Sequence, residues 1–191
     1  AKGELRPLPI QTYPLERVSD ALRYMAQARH VGKVVVRPPT AIAAGAPLVS
    51  AAATYWITGG LGSLGLATAR WLADAGARSL VLTGRRPPSA ASGAAVRELE
   101  SLGVTVRVMA VDAAARAGMQ AALDVIKASM PPLRGVIHAA GVAEDAALLR
   151  QTWESSRAVL RGKARGAWLL HELTAGVPLD FFVLYSAAGV L

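Results

Sequence analysis

From Ala53 onward the chain alternates between short apolar runs and stretches of helical period. Thr54–Thr58 (TYWIT), Ser79–Thr83 (SLVLT), Val104–Val111, Gly135–Ala139 and Asp180–Tyr185 (DFFVLY) are rich in β-branched, aromatic and aliphatic residues and have strand length. Between them, Leu64–Ala75, Ala94–Leu102, Ala115–Ser129, Trp153–Arg161 and Ala164–Thr174 read as helices. Gly103 ends one of these helices, and Pro131 with Pro132 stops another. Regular strand–helix alternation predicts a parallel sheet with right-handed crossovers and helices on both faces. Ligands of such sheets bind at the carboxyl ends of the strands, so the residues just after each strand are the informative ones.

The first 38 residues follow another pattern. Residues 1–13 read as extended and are punctuated by Pro7 and Pro9. Pro14 is expected to open a helix running to His30, with Leu15, Val18, Leu22 and Met25 on one face. Met25 is expected as core filler, and His30 as a helix-end residue. Gly32 closes this helix, and Lys33–Arg37 (KVVVR) follows as a strand. The next stretch, PPTAIAAGAPLVSAAA, is rich in Pro, Gly and Ala and has no period, which is the composition of a linker. The expected organisation is a tail over 1–38, a linker over 39–52 and an α/β domain over 53–191.

After the first strand of that domain comes Thr58-Gly59-Gly60-Leu61-Gly62-Ser63-Leu64-Gly65. Gly60, Gly62 and Gly65 form G-x-G-x-x-G between a strand and a helix, the context that makes the pattern a dinucleotide-binding fingerprint. Glycines there serve a tight turn, a close approach of backbone to pyrophosphate, and helix–strand packing. The helix N-terminus then offers free N–H groups to the phosphates. Thr58, which ends the strand, and Leu64, inside the pattern, are assigned to the same cofactor-binding turn; the alternative is a plain glycine turn. The fold class is a Rossmann-type doubly wound parallel sheet, incomplete at its C-terminal end.

Thr83-Gly84-Arg85-Arg86 follows the second strand. An acidic residue near this point would hold the ribose 2′-hydroxyl of NAD. Two arginines instead suit a 2′-phosphate, which a guanidinium grips bidentately, and predict NADPH; the alternative is a solvated charged turn. Asp112 follows the third strand, where a carboxylate can accept from an adenine amino group or cap the next helix. His138-Ala139-Ala140-Gly141 follows the fourth and gives a small-residue floor, with Ala140 assigned to the cofactor. His138 reads as a structural, hydrogen-bonded histidine rather than a catalyst.

The net charge of +8 comes from 21 Lys+Arg against 13 Asp+Glu. The arginines are scattered, with no basic run interleaved with aromatics, which argues against nucleic acid. Phosphate-bearing cofactors or an acidic protein partner explain the sign as well. With no cysteine there is neither a disulfide framework nor a thiolate metal site. That composition fits a reducing compartment, and a cytoplasmic location without membrane attachment is expected; no metal is assigned.

LPIQTYPLERVSDALRYMAQARHVGKVVV is similar to the C-terminal end of the enoyl reductase domain of modular polyketide synthases, within the medium-chain reductase group. ITGGLGSLG, LVLTGRR, GVIHAAGVAEDAALL, GKARGAWLLHELT and LDFFVLYSAAGVL resemble, in order and spacing, the ketoreductase domain of modular type I polyketide synthases, a branch of the short-chain dehydrogenase/reductases. The resemblance covers residues 54–191. It implies NADPH as cofactor and a β-ketoacyl thioester on the phosphopantetheine arm of an acyl carrier protein as substrate. It also implies a homodimeric assembly, with the remainder of the same synthase chain as partner. The family's catalytic lysine falls on Lys163 and its catalytic serine on Ser186. The family often has two serines where this chain has Tyr185-Ser186-Ala187, so the hydroxyl sits one position early if Ala187 stands opposite the second. Asp145 matches the last residue of a Leu-Asp-Asp signature tied to one stereochemical class of alcohol, here Ala143-Glu144-Asp145; the alternative is a first-turn helix aspartate. The rival readings are a structural ketoreductase half without catalysis and a free-standing reductase of a small carbonyl compound. The family's proton-donating tyrosine is expected beyond Leu191, so the 191 residues are expected to be a segment of a larger polypeptide, inactive alone.

Overall fold

The structure is a computed structural model and describes residues 8–28, 30–37, 48–142 and 148–186. The chain divides into two units, residues 1–46 and 47–191.

In the first unit β1 (Ile10–Pro14) pairs in parallel with β2 (Lys33–Arg37), in register from Ile10↔Lys33 to Pro14↔Arg37. A 3₁₀ turn over Leu15–Arg17 leads from β1 into α1 (Val18–Ala26). Pro14 therefore does not open the helix. It closes β1 in extended backbone, φ −67° and ψ 155°, and the α-helix begins four residues later. Gly32 does not close α1, which ends at Ala26; it seats β2 instead. Its φ is +93°, and a Cβ there would lie 2.1 Å from the Pro9 carbonyl oxygen, which accepts from the Lys33 N–H at 2.8 Å. Only Ala21 of α1 is buried. Leu15, Val18, Leu22 and Met25 are exposed, so Met25 is not core filler within this unit.

The second unit is a five-stranded parallel sheet in the order β5-β4-β3-β6-β7. Its strands are β3 (Thr54–Thr58), β4 (Ser79–Gly84), β5 (Thr105–Ala110), β6 (Leu133–His138) and β7 (Phe181–Leu184). The helices are α2 (Ser63–Asp74), α3 (Ala90–Ser101), α4 (Arg116–Ser129), α5 (Trp153–Leu160) and α6 (Gly166–Thr174). Strand alternation builds two cores. Tyr55, Ile57, Leu80 and Leu82 face α2 and α3, meeting Ala69, Leu72, Val96 and Leu99. Trp56, Val81 and Val136 face α4 and α6, meeting Met119, Leu123, Ile126 and Leu170. Each such aliphatic side chain contributes about 1.5–3 kcal/mol when fully buried.

Val49 joins the first core, and the Ser50 N–H donates to the Tyr55 hydroxyl at 2.6 Å, so residues 48–52 pack with the second unit. Residues 38–47, the rest of the expected linker, lie outside the described residues. Helix α3 begins four residues before the predicted start, because Ser89 and Ser92 form a reciprocal capping box that the Ala/Ser/Gly composition does not advertise. The expected break between the last two helices is absent. Arg161–Arg165 forms a π-helical segment that joins α5 to α6.

Strand order reverses between β3 and β6. The connection from β3 runs to β4 on one side, while β6 lies on the other, so the carboxyl ends of β3 and β6 flank the crevice where doubly wound sheets bind ligands.

Candidate active site

Beyond Thr58 the backbone turns through Gly59 at φ +70°. The Gly60 N–H donates to the Thr83 carbonyl at 3.1 Å, which ties the turn to β4. The Gly62 N–H donates to the Gly59 carbonyl at 3.0 Å, and the first bond of α2 runs from the Leu66 N–H to the Gly62 carbonyl at 2.9 Å. No side chain caps α2, and its first turn carries no acid. The N–H groups of Ser63, Leu64 and Gly65 consequently have no intrahelical acceptor. A Cβ on Gly65 would lie 2.4 Å from the Gly59 carbonyl oxygen and 2.6 Å from Gly60 Cα. A Cβ on Gly59 would lie 2.6 Å from the Ala140 nitrogen. Gly59 thus closes the turn against the floor after β6. It belongs to the site although the fingerprint spacing passes over it; the Gly59-Gly60 doublet after a strand was the available signal. A turn with glycine at 59, 60, 62 and 65 that ends on an uncapped helix fits a diphosphate.

Arg85 and Arg86 emerge from the end of β4, both exposed, and neither enters an ion pair among the described residues. Two guanidinium groups just past the strand next to the glycine turn suit a phosphate group. Leu64 is exposed on the first turn of α2. Asp112 is half-buried. It does not cap α4, whose N-cap is Ala115. Instead its carboxylate accepts from the Ala114 N–H at 3.0 Å and from Arg161 at 2.9 Å.

His138 ends β6 and is 2% exposed. Its Nε2 lies 3.1 Å from the Gly162 carbonyl oxygen and 3.2 Å from that of Lys163. Carbonyls only accept, so Nε2 carries the hydrogen and Nδ1 accepts from the Thr58 hydroxyl at 2.6 Å. Burial pushes the imidazole pKa below its ordinary 6.5, opposed by the two carbonyls, and the charge of Lys163 lowers it further. His138 is a neutral, structural histidine, and the Thr58 hydroxyl is committed to it.

Lys163 sits half-buried in the π-helical segment. A Cβ on Gly141 would lie 3.0 Å from Lys163 Cε and 3.5 Å from Cγ, so the lysine stem runs along the bare Gly141 backbone. The fold thereby brings Lys163, the Ala140–Gly141 floor and the glycine turn together. Ser186 is exposed after β7. Its neighbour Tyr185 is held by two bonds: its N–H donates to the His138 carbonyl at 3.0 Å, and its hydroxyl lies 3.0 Å from that of Thr68. Asp145 lies outside the described residues, as does Ala187, so neither the stereochemical signature nor the serine register has a described geometry. Among the described residues no cluster of His, Cys, Asp or Glu could hold a metal, and no helix is long and apolar enough to cross a membrane.

Residues 53–191 match the KR domain family model. The chain belongs to the KR domain family. Residues 1–36 match the zinc-binding dehydrogenase model, in line with an enoyl-reductase-type tail ahead of the KR domain. The KR chain is 45% identical over 194 residues to mycoketide-CoA synthase of Mycobacterium tuberculosis (strain ATCC 25618 / H37Rv), covering 99% of this chain and 4% of the relative. It is 42% identical over 189 residues to erythronolide synthase EryA2 of Saccharopolyspora erythraea, covering 98% of this chain and 5% of that one. The chain therefore spans less than a tenth of the length of these relatives. Among solved structures, an A1-type ketoreductase matches at 40% identity with a TM-score of 0.69, over 79% of this chain and 32% of the other. A ketoreductase domain from the bacillaene assembly line matches at 28% identity with a TM-score of 0.72, over 91% and 43%.

Proposed function

We propose that this KR domain reduces a β-ketoacyl thioester, carried on the phosphopantetheine arm of an acyl carrier protein, to the β-hydroxyacyl thioester within a polyketide synthase. The observation that carries the reading is the convergence of the bare glycine turn, the Ala140–Gly141 floor and Lys163 at one end of the sheet. NADPH, when bound, supplies the hydride. Gly59, Gly60, Gly62 and Gly65 would hold its diphosphate, Arg85 and Arg86 its 2′-phosphate, and Asp112 its adenine. Lys163 would hold the nicotinamide ribose and, as a cation, would lower the pKa of the family's proton-donating tyrosine. Ser186 donates to the substrate carbonyl oxygen as negative charge develops there. Asp145 biases the face on which the ketone is presented. The rest of the synthase chain, a homodimeric assembly and the acyl carrier protein are the partners this reading requires.

The test is turnover of a β-ketoacyl thioester mimic by the full-length synthase chain, followed as loss of NADPH absorbance. Lys163→Ala is expected to lower turnover by about 10²-fold or more. Lys127→Ala, on α4 and outside the site, is expected to keep the parent rate. Equal rates in all three chains would refute the role of Lys163.

A further inference from the structure

We infer that Thr58 and His138 form a positioning pair that fixes the lysine-bearing π-helical segment against the sheet. The inference rests on the reading of Lys163 given above. π-Helical segments are rare and occur mostly as single-turn bulges inside α-helices, so their order calls for an explanation in the surrounding structure. Here that order comes from a buried side chain on a different element. His138 Nε2–H points at the carbonyls of Gly162 and Lys163, the second and third residues of the segment.

The approach is built in sterically as well. A Cβ on Gly166 would lie 2.8 Å from His138 Cε1 and 3.3 Å from Nε2, so glycine at the start of α6 is what lets the ring reach the carbonyls. Thr58 completes the device. By donating to Nδ1 at 2.6 Å it fixes the tautomer in which Nε2 carries the hydrogen, the neutral form that can donate to the Gly162 and Lys163 carbonyls. Thr58 is also the last residue of β3, directly before the glycine turn. One hydrogen-bonded line thus runs from the cofactor strand through β6 to the backbone of Lys163. Asp112 and Arg161 add an outer tie at 2.9 Å, but that pair is solvent-exposed and contributes little. The buried line is the part that sets where the lysine stands.

The experiment uses the full-length synthase chain with Thr58→Val, Thr58→Ser and His138→Gln, each with Lys163 and with Lys163→Ala. Two readouts are taken. The first is hydrogen exchange of residues 161–167, with α4 as internal reference. Thr58→Val is expected to speed exchange in 161–167 about tenfold while α4 is unchanged, and Thr58→Ser to restore protection. The second is turnover. Thr58→Val is expected to slow reduction ~10–100-fold when Lys163 is present, since small misplacements of a reacting constellation carry that penalty. In the Lys163→Ala background the same change is expected to cost under ~2-fold, because the two residues act as one unit. His138→Gln, which keeps an N–H for the carbonyls but loses the acceptor of Thr58, is expected to fall between Thr58→Ser and Thr58→Val in both readouts, and parent-like exchange and turnover in it would count against the pair.

Unchanged exchange in 161–167 overturns the inference, as does equal slowing in both lysine backgrounds. If the parent chain does not reduce a β-ketoacyl thioester at all, the proposed function fails, and the exchange data alone decide whether the line positions the segment.

Discussion

The glycine turn after β3 and the arginine turn after β4 lie on neighbouring strands, joined by the Gly60–Thr83 hydrogen bond, yet they are built in opposite ways. The glycine turn is defined by what cannot be added to it: backbone atoms stand 2.4–2.7 Å from where side chains at Gly59 and Gly65 would begin. The arginine turn is defined by what projects from it, two exposed guanidinium groups that form no ion pair among the described residues. The first is a steric site, inseparable from the packing of the sheet. The second is an electrostatic site laid on top of the fold. Fold and cofactor binding should therefore fail together at one turn and separate at the other.

The largest effect is expected from Gly65→Val. A side chain there meets the Gly59 carbonyl and Gly60 Cα, and the turn must open at a cost of ~3 kcal/mol or more. Both NADPH and NADH binding should be lost, and the urea midpoint for proteolytic cleavage within residues 53–191 should drop. Retained binding of either cofactor would remove the steric half of the comparison. Next is Arg85→Ala with Arg86→Ala. NADPH affinity should fall by ~1.5–3 kcal/mol per lost charged hydrogen bond, with NADH affinity and stability unchanged. Fluorescence titration of both cofactors reads this directly, and equal losses would sink it.

Thr83→Val tests the seam between the two turns. The Trp56 indole N–H donates to the Thr83 hydroxyl at 3.1 Å inside the core. Removing that acceptor leaves a buried donor unpaired, at about 1–3 kcal/mol, and should lower stability without altering the NADPH-to-NADH preference. The smallest effect is expected from pH. The His138 pKa is depressed in the folded chain, so the unfolded state takes up a proton first as pH falls through 6.5. Stability from the neutral ring is complete above that value and is lost as pH drops toward the folded pKa. Exchange in 161–167, corrected for its intrinsic rate, should accelerate between pH 7.5 and 5.5 and should not do so in His138→Gln.

Much of this was legible in the chain. The five apolar runs became five parallel strands, because buried parallel strands announce themselves as short continuous apolar segments. The glycine pattern does fall between a strand and a helix, the two arginines are exposed at the end of β4, and His138 is buried and hydrogen-bonded. What was not legible depends on partners distant in sequence. Val49 looked like linker, since one valine among Ala, Pro and Ser carries no period. The helix break expected near Gly162 and Lys163 became a π-helical segment, because the donor that meets its carbonyls is His138, far upstream on another element. Gly59 escaped because its closest neighbour, the Ala140 backbone, is brought up by sheet pairing. On α1 the helical period correctly marked an apolar face, but a period states that a face exists and not what covers it.

The strand order also governs how the chain is assembled. β3 lies at the centre of the sheet, between β4 and β6, and its second neighbour arrives 80 residues after β3 itself, as Thr58 and His138 record. At ordinary synthesis rates of about 5–20 residues per second, that interval lasts ~4–16 s on the ribosome. Throughout it, β3 presents an unpaired hydrogen-bonding edge between two apolar faces. Non-local parallel pairing of this kind folds slowly. The central strand that ends in the glycine turn is thus one whose ladder closes late, which exposes the nascent chain to mispairing at that strand.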